Sequence, residues 1–118
     1  MNGTYSNEIY AAGFERMVDE HLAASPSPGE PLAFFAYVAF HNVHLPLEPP
    51  PQYVAMYPDG AFGDDIDRLQ LASMVTAVDD SIGRIVKRLK LAGMYQNTIL
   101  IVVTDNGAPV CVLSLIHI

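Results

Sequence analysis

Thr98-Ile99-Leu100-Ile101-Val102-Val103-Thr104-Asp105-Asn106-Gly107 is the stretch whose reading decides the fold. Its five consecutive aliphatic residues, 99–103, include four that are β-branched. An unbroken apolar run of this kind predicts a short strand buried on both faces. The run stops abruptly at an acid, an amide and a glycine. A carboxylate just past a buried strand is costly without a partner, and in open α/β sheets ligands bind at the carboxyl ends of the strands. Asp105 and Asn106 are therefore the first candidate site residues.

Working outward, residues 32–40, Leu-Ala-Phe-Phe-Ala-Tyr-Val-Ala-Phe, form a second apolar run with aromatic and β-branched members and predict a central strand. It ends in His41-Asn42-Val43-His44, followed by Leu45-Pro46-Leu47-Glu48 and three further prolines. Between the two runs, Asp64 is placed to cap a long helix that has Asp67 in its first turn. Leu71, Met74, Val75, Val78, Ile82, Ile85, Val86 and Leu89 form its apolar stripe, and Gly93 supplies the stop. Asp80 and Arg84, one turn apart, are expected to form an exposed ion pair, with Asp79 and Asp80 on a solvated face. Strand, helix and strand make a parallel βαβ unit, whose crossover is right-handed in ~98% of cases.

Parallel strands end at the same edge of a sheet. His41, Asn42 and His44 are thus expected to converge with Asp105 and Asn106. Aspartate and asparagine oxygens suit a hard divalent cation such as Ca2+ or Mg2+, although two such ligands cannot complete a six-coordinate ion. A neighbouring imidazole can protonate a leaving group. His44 is the histidine this pattern favours for function, and His41 reads first as structural.

Upstream, Tyr10, Phe14, Met17, Val18, His21 and Leu22 recur at helical spacing after Ser6 or Asn7 as cap, predicting an amphipathic helix from Ser6 to about Ala24. His21 falls at its end, solvated or favouring the dipole. Residues 25–31, Ser-Pro-Ser-Pro-Gly-Glu-Pro, exclude helix and strand ladder alike and form a loop too short to separate domains. Asn2-Gly3-Thr4 matches the N-glycosylation acceptor pattern, which has meaning only in a secreted protein.

A chain of 118 residues, 51% hydrophobic, is sized for one domain with a modest core. A net charge of −7 argues against a nucleic-acid surface, and four of the six basic residues, Arg84, Lys87, Arg88 and Lys90, gather at the negative end of the long helix. The longest apolar run is far short of the ~20 residues of a membrane span. No secretory signal follows Met1. Cys111 is the single cysteine, so it makes no internal disulfide and indicates no redox compartment.

With these residues in view, the chain resembles the sulfatase family, in its arylsulfatase B-like branch. The resemblance rests on Tyr5-Ser6 before the first helix, Pro31-Leu32 leading into the aromatic run, and Val43-His44-x-Pro46-Leu47 after it. It continues through Met74-Val75-Thr76-Ala77-Val78-Asp79-Asp80-Ser81-Ile82-Gly83, Asn97-Thr98 and Thr104-Asp105-Asn106-Gly107. Each piece is weak; the ordered set, from Tyr5 to Pro109, is specific. It implies an alkaline-phosphatase-like α/β sandwich that hydrolyses sulfuric esters. The nucleophile implied is a formylglycine made from the cysteine of Cys-x-Pro-x-Arg, beside a Ca2+ that polarises the sulfate oxygens. Asp105 and Asn106 match the family's second pair of metal ligands, the aspartate also touching the nucleophile's hydroxyl. His44 matches the histidine that contacts sulfate and protonates the departing alcohol or phenol. The implied partner is a sulfated small molecule or glycan, and the implied location lysosomal or extracellular.

Departures from the family pattern set the remaining expectations. Cys-x-Pro-x-Arg is absent, since Cys111 precedes Val112, Leu113 and Ser114. The upstream pair of aspartates and the lysine after Asp-Asn-Gly are missing, and His117 earns no catalytic role. The chain reads as an internal fragment, 1–109 belonging to the catalytic domain and 110–118 an apolar, non-matching tail of artefactual character. That tail is suited to pair as an extra strand or to stick to other molecules. The isolated fragment is expected to be inactive. Two other readings compete: a phosphohydrolase relative with a Ser or Thr nucleophile and two metals, and a catalytically inert remnant.

Overall fold

Apolar and small residues at helical spacing build the first element, α1 (Ser6–Ala24), whose buried positions Asn7, Ala11, Phe14 and Val18 lie along one face. The computed structural model describes residues 3–25 and 32–106. The acceptor pattern at Asn2, most of the 25–31 loop and everything from Gly107 onward, Cys111 and His117 included, lie outside the described residues. The other elements are α2 (Pro51–Val54), α3 (Ile66–Leu91) and a single 3-10 turn at Tyr95–Asn97.

The cap of α1 is Tyr5, whose side chain makes no capping bond, so neither Ser6 nor Asn7 has the expected role. Asn7 is buried in the interhelical face, and both of its side-chain polar atoms are unpaired among the described residues, at a cost of about 1–3 kcal/mol.

The long helix also starts one residue later than its charge pattern predicts. Asp65, not Asp64, is its cap, accepting the Arg68 backbone N–H at 2.9 Å. Asp67 lies in the first turn as expected. Asp65→Ala removes the one side-chain acceptor at that end, and urea denaturation is expected to show a loss of about 1 kcal/mol. A loss no larger than that from Asp64→Ala would show that the cap contributes nothing. At the far end Gly93, at φ +70°, allows the chain to turn back. Its N–H donates to Lys90 O at 3.1 Å and that of Met94 to Leu89 O at 3.0 Å, closing a Schellman motif.

Two ion pairs set the mutual direction of the helices. Arg84 donates twice to Glu15, at 3.2 and 2.9 Å, and Arg88 pairs with Asp19. Each partner lies one turn further along both helices, so α1 and α3 run parallel. This corrects the expected Asp80–Arg84 pair. Arg84 reaches across to α1, while the exposed Asp80 accepts the hydroxyl of the buried Tyr53 on α2 at 2.9 Å. Burial first, then the bond to Asp80, pushes the Tyr53 hydroxyl up to about 12. Lys90 is expected at the helix end and is found there, its ammonium 4.9 Å from the centre of the Tyr95 ring.

The buried face of α3 also differs from the apolar stripe. Ser73, Ala77 and Ser81 are buried beside Leu71, Met74, Ile85 and Leu89, whereas Val75 is exposed. Small residues let a neighbouring helix approach closely, and the serine hydroxyls are satisfied within their own helix, Ser73 on Leu69 O and Ser81 on Ala77 O. Hydrophobicity alone does not rank a serine above a valine, so periodicity misplaces this part of the face.

The core is the cluster Phe14, Val18, Ile85 and Leu89. Phe34, Ala36, Val38 and Phe40 cover it from one side and Ala92, Met94 and Tyr95 from the end. Within 32–40 only alternate residues pack on the helices; Phe35 is 90% exposed and Tyr37 82%. That period-two pattern is strand-like, yet no strand forms among the described residues. Residues 99–103, expected to be buried on both faces, are exposed, Ile99 by 89% and Val103 by 80%. The physical reason is that a strand, unlike a helix, satisfies its backbone only through a neighbour. No ladder bond joins 32–40 to 99–103 among the described residues. The helical half of the predicted unit is therefore present, and its sheet is not formed here.

Candidate functional site

Leaving the core at Phe40, the chain enters the segment His41-Asn42-Val43-His44-Leu45, which is pinned by the first turns of α1. Tyr10 stands edge-on to both Phe40 and His41, with ring centroids 6.1 and 5.3 Å apart. Its hydroxyl lies 3.0 Å from Nδ1 and 3.1 Å from Nε2 of His41. His41 is thereby held against α1 by the Tyr10 side chain. Asn42 is half-buried and donates from Nδ2 to the Tyr5 hydroxyl at 2.6 Å and to Met74 O, on α3, at 3.4 Å. The peptide bonds Asn42–Val43 and Leu45–Pro46 are cis.

His44, two residues beyond this anchor, is exposed, and its Nδ1 lies 2.8 Å from Leu45 O. A carbonyl oxygen can only accept, so Nδ1 carries hydrogen in this contact. In the neutral ring Nε2 then holds the lone pair; in the imidazolium Nε2–H is the remaining donor. Nε2 is the ring nitrogen that this contact leaves available.

Asp105 and Asn106 follow the exposed run as a local turn. The Asn106 N–H donates to Asp105 Oδ1 at 2.9 Å, and Thr104 Oγ1 donates to Asn106 O at 2.7 Å. Both bonds are local, within residues 104–106. No hydrogen bond or ion pair joins His44 to Asp105. Nor does any group of three or more His, Cys, Asp or Glu able to hold a metal form among the described residues. The convergence expected at one sheet edge depends on a sheet that is not formed among the described residues. The donor chemistry at 105–106 fits a hard cation in kind, with two adjacent side-chain oxygens, and falls short of it in number.

Tyr10 and the partners of Asn42 are absent from the sequence-level site. Periodicity registers a tyrosine only as an apolar body. The one available signal is a tyrosine at the cap position of α1, where its side chain cannot cap and its hydroxyl must find another partner.

The Sulfatase family model matches residues 3–112. The chain belongs to the sulfatase family. It is 34% identical over 106 residues to Arylsulfatase J of Mus musculus, covering 90% of this chain and 16% of that protein. It is 32% identical over 89 residues to N-acetylgalactosamine-6-sulfatase of Rattus norvegicus, covering 75% and 14% respectively. It is also 35% identical over 77 residues to the uncharacterized sulfatase YdeN of Escherichia coli, covering 64% and 13%. This sulfatase-family chain thus spans between 13% and 16% of the length of these three curated relatives. No solved structure matches it. Membership implies the alkaline-phosphatase-like α/β fold of the sulfatases, of which α1 and α3 are the helical part described here. No helix among the described residues is long and apolar enough to cross a membrane.

Proposed function

We propose that the longer protein to which this segment belongs hydrolyses sulfuric esters, and that His44 is the acid that protonates the departing oxygen. The observation that carries the reading is His44 itself. It lies on the stretch matched to the family, exposed, with Nδ1 donating to Leu45 O and Nε2 left for a substrate. When the S–O bond breaks, the departing oxygen keeps the bonding electron pair, so negative charge builds on it. Protonating that oxygen lowers the barrier most when the alcohol is a poor leaving group.

Asp105 and Asn106 are proposed as two of the ligands of a Ca2+, the remaining oxygens coming from other parts of the protein. When bound, such an ion supplies positive charge beside the sulfate oxygens. The attacking nucleophile, proposed to be a formylglycine, lies outside this chain, which has no Cys-x-Pro-x-Arg. The sheet that would bring residues 41–44 and 105–106 to one edge is proposed to be a parallel βαβ unit completed by neighbouring strands of a sandwich. A sulfated small molecule or glycan is the proposed substrate, and a lysosomal or extracellular setting the proposed location.

The catalytically inert reading is favoured for the chain by itself, because it carries no Cys-x-Pro-x-Arg to supply a nucleophile and no group of three or more His, Cys, Asp or Glu able to hold a metal forms among the described residues. The purified 118-residue chain is expected to release no phenol from an aryl sulfate and to bind Ca2+ weakly or not at all in calorimetry. The complete protein is expected to turn over the same ester. Turnover by the short chain that disappears in His44→Ala would overturn the division of labour proposed here. Failure of the complete protein on every aryl and alkyl sulfate tested, with turnover of the matching phosphate, would replace the sulfatase reading by the phosphohydrolase one.

A further inference from the structure

We propose that Asn42 is a positioning residue for His44, acting through a bridge from Asn42 to the start of α1 and to α3 that holds the segment in the geometry where Leu45 O fixes the imidazole tautomer. This inference rests on the reading of His44 as proton donor and adds to it the atom that carries the proton, Nε2, and the groups that select it.

Three observations combine. Asn42 donates from one amide nitrogen to two elements that the core holds rigidly together, at 2.6 Å to the Tyr5 hydroxyl and 3.4 Å to Met74 O. Its place, two residues before His44, leaves little slack between anchor and imidazole. Second, Tyr5 stands at the α1 cap position without capping the helix, so its side chain is committed to Asn42. Third, the bond from His44 Nδ1 to Leu45 O, 2.8 Å, is formed at an exposed position where water competes for both groups. A hydrogen bond between neighbouring residues in such a setting persists only when the backbone is already held in the right shape, because otherwise its small net gain is lost to conformational freedom. The bridge at Asn42 supplies that restraint.

Selecting the Nδ1–H tautomer matters for the proton's path. With Nδ1 occupied, Nε2 is the one ring nitrogen that can pick up a proton from water and deliver it to a leaving oxygen. A ring free to flip or change tautomer would present the wrong nitrogen part of the time.

The test uses nitrogen-15 NMR of the imidazoles in the 118-residue chain, at a pH of about 8.5, where an ordinary histidine is neutral. In the wild-type chain His44 is expected to show a protonated Nδ1 and an unprotonated Nε2. In Asn42→Ala and in Tyr5→Phe it is expected to move toward the Nε2–H form that dominates free imidazole side chains, with the helical circular dichroism unchanged. Tyr5→Phe removes only a hydroxyl and decides the matter if Asn42→Ala unfolds. Rescue by Asn42→Gln is not expected, since the longer side chain displaces the amide from both acceptors.

An Nε2–H tautomer in the wild type would overturn the proposal, as would a His44 signature identical in the wild type and the Tyr5→Phe chain. Neither outcome depends on turnover. A failed tautomer test therefore leaves the proton-donor reading to be judged by its own kinetics, and failure of the kinetics leaves the tautomer result standing.

Discussion

His44→Gln in the complete protein is expected to lower kcat for an alkyl sulfate by about 10²–10⁴-fold, the usual contribution of a positioned general acid. A nitrophenyl sulfate should lose far less. The argument is one of leaving-group basicity. A nitrophenolate departs readily as the anion, so its transition state gains little from a proton, whereas an alkoxide cannot depart at a useful rate without one. Glutamine retains bulk and polarity but has no titrating nitrogen, and it removes the role of Nε2 that the bond from Nδ1 to Leu45 O leaves open. The measurement is kcat across a series of esters of graded leaving-group pKa. In the variant, the logarithm of kcat should fall more steeply with increasing pKa. An equal loss for every ester would mean that His44 binds sulfate without donating a proton.

The second large effect is on stability. Leu89 is 2% exposed and belongs to the cluster with Phe14, Val18 and Ile85 that joins α1 to α3. It is also the residue whose carbonyl receives the Met94 N–H, and Met94 packs back on the same cluster. Leu89→Ala therefore removes apolar contact from both helices and from the turn that ends α3. Leucine-to-alanine changes at such sites cost about 2–5 kcal/mol, a large part of the 5–15 kcal/mol typical of a domain. Urea denaturation should show the midpoint falling sharply, with a slope little changed if the native surface is preserved. Leu91→Ala, two residues on at an exposed position, should stay within about 0.5 kcal/mol. If the two substitutions cost the same, the cluster is not the core.

Much of the helical structure is written locally. The boundaries of α1 and the Gly93 stop of α3 follow from spacing, turn chemistry and charge, because a helix closes its hydrogen bonds within its own segment. His44, Asp105 and Asn106 also stand out in the chain, because polar groups at the end of apolar runs are unusual. The same sequence does not announce that Ser73, Ala77 and Ser81 face the neighbouring helix while Val75 faces solvent, nor that Arg84 serves Glu15 and leaves Asp80 to Tyr53. Each of those choices depends on which element arrives alongside, and several arrangements have nearly the same local energy.

The runs 32–40 and 99–103 mark the boundary between the two kinds of information. Their composition declares an extended, apolar segment, and 32–40 does present alternate residues to the core. A strand, however, becomes one only when a second chain segment accepts and donates its backbone hydrogen bonds, so composition can nominate a strand but cannot pair it. What the sequence by itself determined was therefore the two long helices and the glycine stop of the second. Tertiary structure alone decided which faces are buried, which charges meet, and that the hydroxyls of Tyr5, the cap of α1, and of Tyr10, within it, hold the histidine segment, because those are contacts between residues far apart in the chain.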